Sequence, residues 1–89
     1  MAKKRRKLNK DFEKKIYSSK KNVELVLAKI YDIDDEDIQK EYMSAFNQVV
    51  SFYERLKQDY EEKGFTDNSE ELLGNYKNSF NLFEAEFEI

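Results

Sequence analysis

No proline interrupts the 89 residues of this chain, and glycine occurs only at Gly64 and Gly74. Proline stops a helix by removing a backbone donor and colliding with the preceding turn, and glycine is the next most disruptive residue. A chain without them is free to form long helices wherever its apolar residues recur at three- and four-residue steps. They do so three times. Leu8, Phe12, Ile16, Val23, Val26, Leu27 and Ile30 form one stripe, with Ser19 in its gap. Ile38, Tyr42, Ala45, Val49, Phe52 and Leu56 form a heptad-like seam, with Phe46, Tyr53 and Tyr60 beside it at seven-residue intervals. Leu73, Tyr76, Phe80, Phe83 and Phe87 form the third. Each stripe is the apolar face of an amphipathic helix that must bury itself against another element.

The breaks between stripes carry helix-end chemistry. Asp32-Ile33-Asp34-Asp35-Glu36-Asp37 stops the first helix and offers Asp34 or Asp35 as the cap of the second, with further acids at its positive end. Ile33 is placed to staple against Ile38 or a near neighbour. Gly64 suits the left-handed position after the second helix, followed by the apolar Phe65. Asn68 with Glu71 matches a loose capping box for the third. The spacing predicts helices over about 9–31, 35–63 and 69–84, joined by short connections. The expected fold is all-α: a small antiparallel three-helix bundle over 9–89, preceded by a basic flexible arm over 1–8. Gly74 either weakens the third helix or permits a close approach. The last residues also alternate Phe83, Ala85, Phe87, Ile89 with Glu84, Glu86, Glu88, a strand-like pattern, so 85–89 stay open between helix and an extended tail able to join a partner's sheet.

Charge divides the chain unevenly. Residues 1–21 hold ten basic and two acidic side chains, whereas 22–89 hold six basic and seventeen acidic ones. Such a split points to a tail or a partner of opposite sign. Lys3, Lys4, Arg5, Arg6 and Lys7, continued by Lys10 and Lys14, are the candidate nucleic-acid contacts, since phosphate attracts clustered lysine and arginine. The alternatives are a solvated leader and an arm folded over the chain's own acidic surface. No aromatic interleaves the run, so base stacking by the arm is not expected. Asp34, Asp35, Glu36 and Asp37, with Tyr17 and Tyr31 off the main stripes, are the candidate protein-binding residues.

Residue types limit the chemistry. There is no His and no Cys, which removes disulfides, thiolate or imidazole zinc ligands and the usual nucleophile–base pairs. Counted from Asp32, an EF-hand would need Gly at 37 and Glu at 43, where the chain has Asp37 and Met43. No glycine-rich phosphate loop exists. No metal, cofactor or enzymatic activity is therefore expected. No apolar run approaches the roughly 20 residues of a membrane span, and no apolar segment follows the basic start, so a cytoplasmic location is expected. The abundance of Phe, Tyr, Ile, Asn and Lys over Gly, Ala, Arg and Pro fits a low-GC genome, such as a Gram-positive bacterium, its phages or plasmids.

Ser79-Phe80-Asn81-Leu82-Phe83 resembles the sliding-clamp-binding pentapeptide of bacteria, whose pattern is Gln-Leu-Ser/Asp-Leu-Phe. Leu82 and Phe83 match its apolar end, while Ser79 and Phe80 depart from its first two positions. The resemblance covers five residues and implies an extended segment docked on a clamp. The function expected from the residues as a whole is a protein-binding regulator or inhibitor, phage- or plasmid-encoded, that sets an acidic helical surface against a nucleic-acid-handling protein, as anti-CRISPR proteins do. The alternatives are a nucleic-acid-binding accessory protein using the basic arm and first helix, and an oligomeric assembly subunit.

Overall fold

A computed structural model describes residues 7–88; Lys3, Lys4, Arg5, Arg6 and Ile89 fall outside the described residues. The chain forms α1 (Lys10–Tyr31), α2 (Glu36–Lys63) and α3 (Ser69–Glu86), in an all-α three-helix bundle. The helices run up, down and up. The body is a rod of 56 × 22 × 18 Å, its length set by α2, whose 28 residues span about 42 Å.

Aromatic side chains set the register of α2 against α3. Tyr42 meets Phe87 with ring centroids 4.8 Å apart, Phe46 meets Phe83 at 4.8 Å, and Tyr53 meets Tyr76 at 6.1 Å, each edge to face. The steps along α2, four then seven residues, are matched by the same steps back along α3. That is what antiparallel packing of two heptad-like seams requires. Phe46, Val49 and Leu56 are almost wholly buried. The centre of the α2 seam is therefore the row Phe46, Val49, Tyr53, Leu56. Tyr42, Ala45 and Phe52, expected at its middle, flank it half-buried. Ile38 stays 43% exposed, because it lies a turn beyond Tyr42, the last α2 side chain to meet a ring of α3.

Helix α1 lies on α2 through Phe12, whose ring contacts Tyr60 and Phe65. The Tyr60 hydroxyl accepts from Asn9 N–H at 3.0 Å and donates to the Glu13 carboxylate, tying the first turn of α1 to the last of α2. Asn9 Oδ1 caps α1 by accepting from Phe12 N–H at 3.0 Å. The gap at Ser19 has a use. Its small side chain, folded back onto Lys15 O at 2.8 Å, lets Tyr76 reach the α1 backbone and donate to Ser19 O at 3.2 Å. Leu8, counted in the first stripe, is 65% exposed, since it precedes the helix and shares none of its faces.

The α2–α3 corner departs from expectation in two ways. Gly64 has the positive φ expected, 74°, but with ψ −156° it is extended rather than helical, a conformation open to glycine almost alone. It pairs with Lys7, and Phe65 N–H donates to Lys7 O at 2.6 Å, so the end of the basic segment is held here. Asn68 is not the cap of a capping box. It is itself helical and makes no side-chain cap bond. Thr66 and Ser69 close the turn instead, with Thr66 N–H donating to Ser69 Oγ at 2.8 Å.

At the other end of α3, the helix continues to Glu86, two residues past the expected stop, and Phe87 leaves it in extended conformation. Phe87 is not a free strand: its ring stacks on Phe83 at 5.0 Å and meets Tyr42. The clamp-like pentapeptide lies inside α3 with Phe83 buried, so docking it as an extended segment would require unwinding the helix.

Two stability predictions follow from this packing. A Cβ at Gly74 would meet nothing within 4 Å, so glycine there serves no close approach. Gly74→Ala is expected to stabilise the protein by about 0.5–1 kcal/mol, read as a higher urea midpoint at unchanged slope. Burial pushes the Tyr76 hydroxyl from 10.0 up to about 12, and burial raises Tyr53 as well. Between those values the folded chain keeps a proton that the unfolded chain loses, so stability intact below pH 10 declines as pH approaches 12. Tyr76→Phe should lower stability at neutral pH by about 1 kcal/mol, through loss of one hydrogen bond, and make that alkaline decline shallower.

Candidate functional site

The acidic turn between α1 and α2 is held from both sides. Asp32 N–H closes α1 onto Ala28 O and Lys29 O, each at 3.2 Å, and Ile33 packs half-buried against the core. Asp35 is the α2 cap, its Oδ1 accepting from Asp37 N–H at 2.9 Å and Ile38 N–H at 3.1 Å. Gln39 Nε2 reaches back to Ile30 O at 3.2 Å and Tyr31 O at 3.1 Å, adding a side-chain donor to the last carbonyls of α1. Sequence reasoning passed over Gln39. Its signal was a long amide one turn inside α2, within reach of the preceding helix end.

With its backbone fixed, the turn presents Asp34, Glu36 and Asp37 to solvent. Asp35 is exposed too, but one of its oxygens serves the cap. The fold adds a second acidic segment from far along the chain. Tyr42 Oη donates to Glu88 O at 3.4 Å, and the Tyr42–Phe87 contact brings the end of α3 beside the start of α2. Exposed Glu84, Glu86 and Glu88 thus share one end of the rod with the 32–37 turn. Lys29 and Lys40 are the cations in the adjoining helical turns. None of Asp34, Glu36, Asp37, Glu84, Glu86 or Glu88 forms an ion pair with a described residue. Unneutralised charges spaced within about a Debye length sum to a field that a cationic surface would relieve. Among the described residues no three acidic groups are arranged to hold a metal ion.

The two candidate tyrosines separate. Tyr31, the last residue of α1, is 68% exposed beside the acidic turn. Tyr17 is 51% exposed but lies fourteen residues earlier, about 21 Å along the helix, so it does not join that surface. Its ring sits 5.2 Å from Lys21 Nζ and lines a shallow groove with Tyr53, Tyr60, Lys20 and Lys57.

The three basic candidates among the described residues occupy the opposite end. Lys7 is held at the α2–α3 corner, and Lys10 and Lys14 are exposed on the first turns of α1, which runs about 33 Å to the acidic turn. Lys10, Lys14 and Lys21 share the outward face of α1 with Tyr17. Two exposed leucines escaped the sequence reading as site candidates: Leu25, 57% exposed, and Leu82, 71% exposed. Their signal was an apolar side chain off the stripe of its own helix.

No helix among the described residues is long and apolar enough to cross a membrane. No protein-family model, curated protein or solved structure shows significant similarity to this chain.

Proposed function

We propose that this protein is a non-enzymatic, protein-binding regulator that sets its acidic end into a basic site on a partner. Basic sites able to take such a surface are those that proteins offer to the phosphates of nucleic acid, so the reading is an inhibitor of a nucleic-acid-handling protein, in the manner of anti-CRISPR and other phage- or plasmid-borne inhibitors. One observation carries it: two acidic segments distant in sequence meet at one end of the rod, and the carboxylates of Asp34, Glu36, Asp37, Glu84, Glu86 and Glu88 form no ion pair with a described residue. Helices capped and packed on both sides hold those charges in place, so binding loses little conformational entropy. Tyr31 adds an exposed ring of the kind that anchors interfaces.

Affinity capture with mass spectrometry, with and without nuclease, should recover a protein partner that resists nuclease and elutes with salt. The triple variant Asp34→Asn, Glu36→Gln, Asp37→Asn leaves the Asp35 cap intact. It should weaken capture by about tenfold at unchanged helical content, from three exposed charge pairs at up to about 1 kcal/mol each. Capture indifferent to both salt and this variant would refute the reading.

A second reading rests on α1. Lys10, Lys14 and Lys21 on one exposed face, with Tyr17 under Lys21, form a basic surface with one interleaved ring. If it contacts nucleic acid, replacing the three lysines by Gln should reduce the slope of log affinity against log salt by roughly 2 to 3 in a gel-shift series. An unchanged slope would eliminate it.

A further inference from the structure

Helices α1 and α3 run in the same direction and meet at Tyr76 and Ser19, where the Tyr76 hydroxyl donates to the α1 backbone. From there toward the acidic end they leave a cleft. It begins beside Ser19 and Asn22 and widens into a groove of about 510 Å³. One wall is Asn22, Leu25, Val26 and Lys29; the other is Phe80, Phe83, Glu84, Phe87 and Glu88. Both walls recur at three- and four-residue steps. Two parallel helices thus present adjacent stripes with none of the other described residues between them. That is the seat into which the ridge of another helix packs.

The floor is apolar: Val26 and Phe83 are buried, Phe80 and Phe87 half-buried, and Leu25 stands 57% exposed at the edge. The rim is charged and lopsided. Glu84 and Glu88 line the α3 side, and the wide end opens beside the 32–37 turn, against which the α1 side sets Lys29 alone.

We infer that the α1–α3 cleft seats an amphipathic helix of a protein partner, apolar face against Leu25, Phe80 and Phe87 and with lysine or arginine toward Glu84 and Glu88. The inference rests on the acidic-end reading and narrows the partner to one presenting a basic helix. The occupant completes a four-helix arrangement over the open half of the bundle.

The test uses the full chain and, as probe, a fluorescein-labelled model helix of about 18 residues, leucine at three- and four-residue steps and lysine elsewhere, beside a scrambled peptide of the same composition. The patterned helix should bind, shift amide NMR signals of residues 19–29 and 76–88, and exceed the scrambled peptide by about tenfold. Leu25→Gln should weaken it by roughly fivefold to tenfold, the value of one buried leucine contact, while Leu82→Gln, on the α2 side of α3, should not. No binding, equal binding of both peptides, or equal effects of the two variants overturns the cleft assignment. So does a dimer seen by light scattering that Leu25→Gln abolishes, which would make the occupant a second copy. Failure of the two readings is distinguishable with the captured partner. Loss with Asp34→Asn, Glu36→Gln, Asp37→Asn but not with Leu25→Gln removes the cleft and spares the acidic end, and the reverse removes the acidic end alone.

Discussion

The edge-to-face contacts between α2 and α3 are the constraint from which the other features descend. Tyr42, Phe46 and Tyr53 each find a ring on α3, and the spacing on one helix is mirrored on the other. A shift of one turn would break all three contacts together and drive Phe83 or Tyr76 toward solvent. Large rings contribute both burial and directional contact energy, so this register is strongly preferred over its neighbours. Once it is set, the end of α3 must lie beside the start of α2, and Glu84, Glu86 and Glu88 come to the same end of the rod as the 32–37 turn.

Helix α1 is fastened by different means. Its first turn is tied to α2 by Asn9, Phe12 and the Tyr60 hydroxyl, its middle to α3 by Tyr76, and its end to α2 by Gln39. Between these attachments its contact with α3 is slight, and the cleft is the consequence. The rod is electrically polar for a related reason. Lysines dominate the start of α1 and carboxylates the turn that follows it, so a single straight helix carries them about 33 Å apart, several Debye lengths at physiological salt, where neither end neutralises the other.

Much of the fold was legible because helices are local objects. Three stripes, three acidic or glycine-marked ends and the absence of proline placed each helix within a few residues, since hydrogen bonds four residues apart and caps involve only near neighbours. The misreadings fall where distant residues intervene. Asn68 looked like the side chain of a capping box until Thr66 and Ser69 closed the turn between them, and the last residues stayed open between helix and extended tail until Tyr42 and Phe83 held the Phe87 ring. Gly64 was recognisable as a special backbone position, but its extended ψ answers to Lys7, fifty-seven residues away in the chain.

The candidate site divides in the same way. Composition alone excluded imidazole and thiol chemistry, and counting charges along the chain revealed the basic start and the acidic remainder. Neither reveals that the 32–37 turn and the end of α3 converge, that Tyr17 is carried away from them while Tyr31 is not, or that Leu25 edges an open cleft. Residue types and local spacing are properties of a chain read in one dimension. Convergence of distant segments depends on which rings interlock across an antiparallel helix pair, a choice made only when side chains compete for the same buried volume.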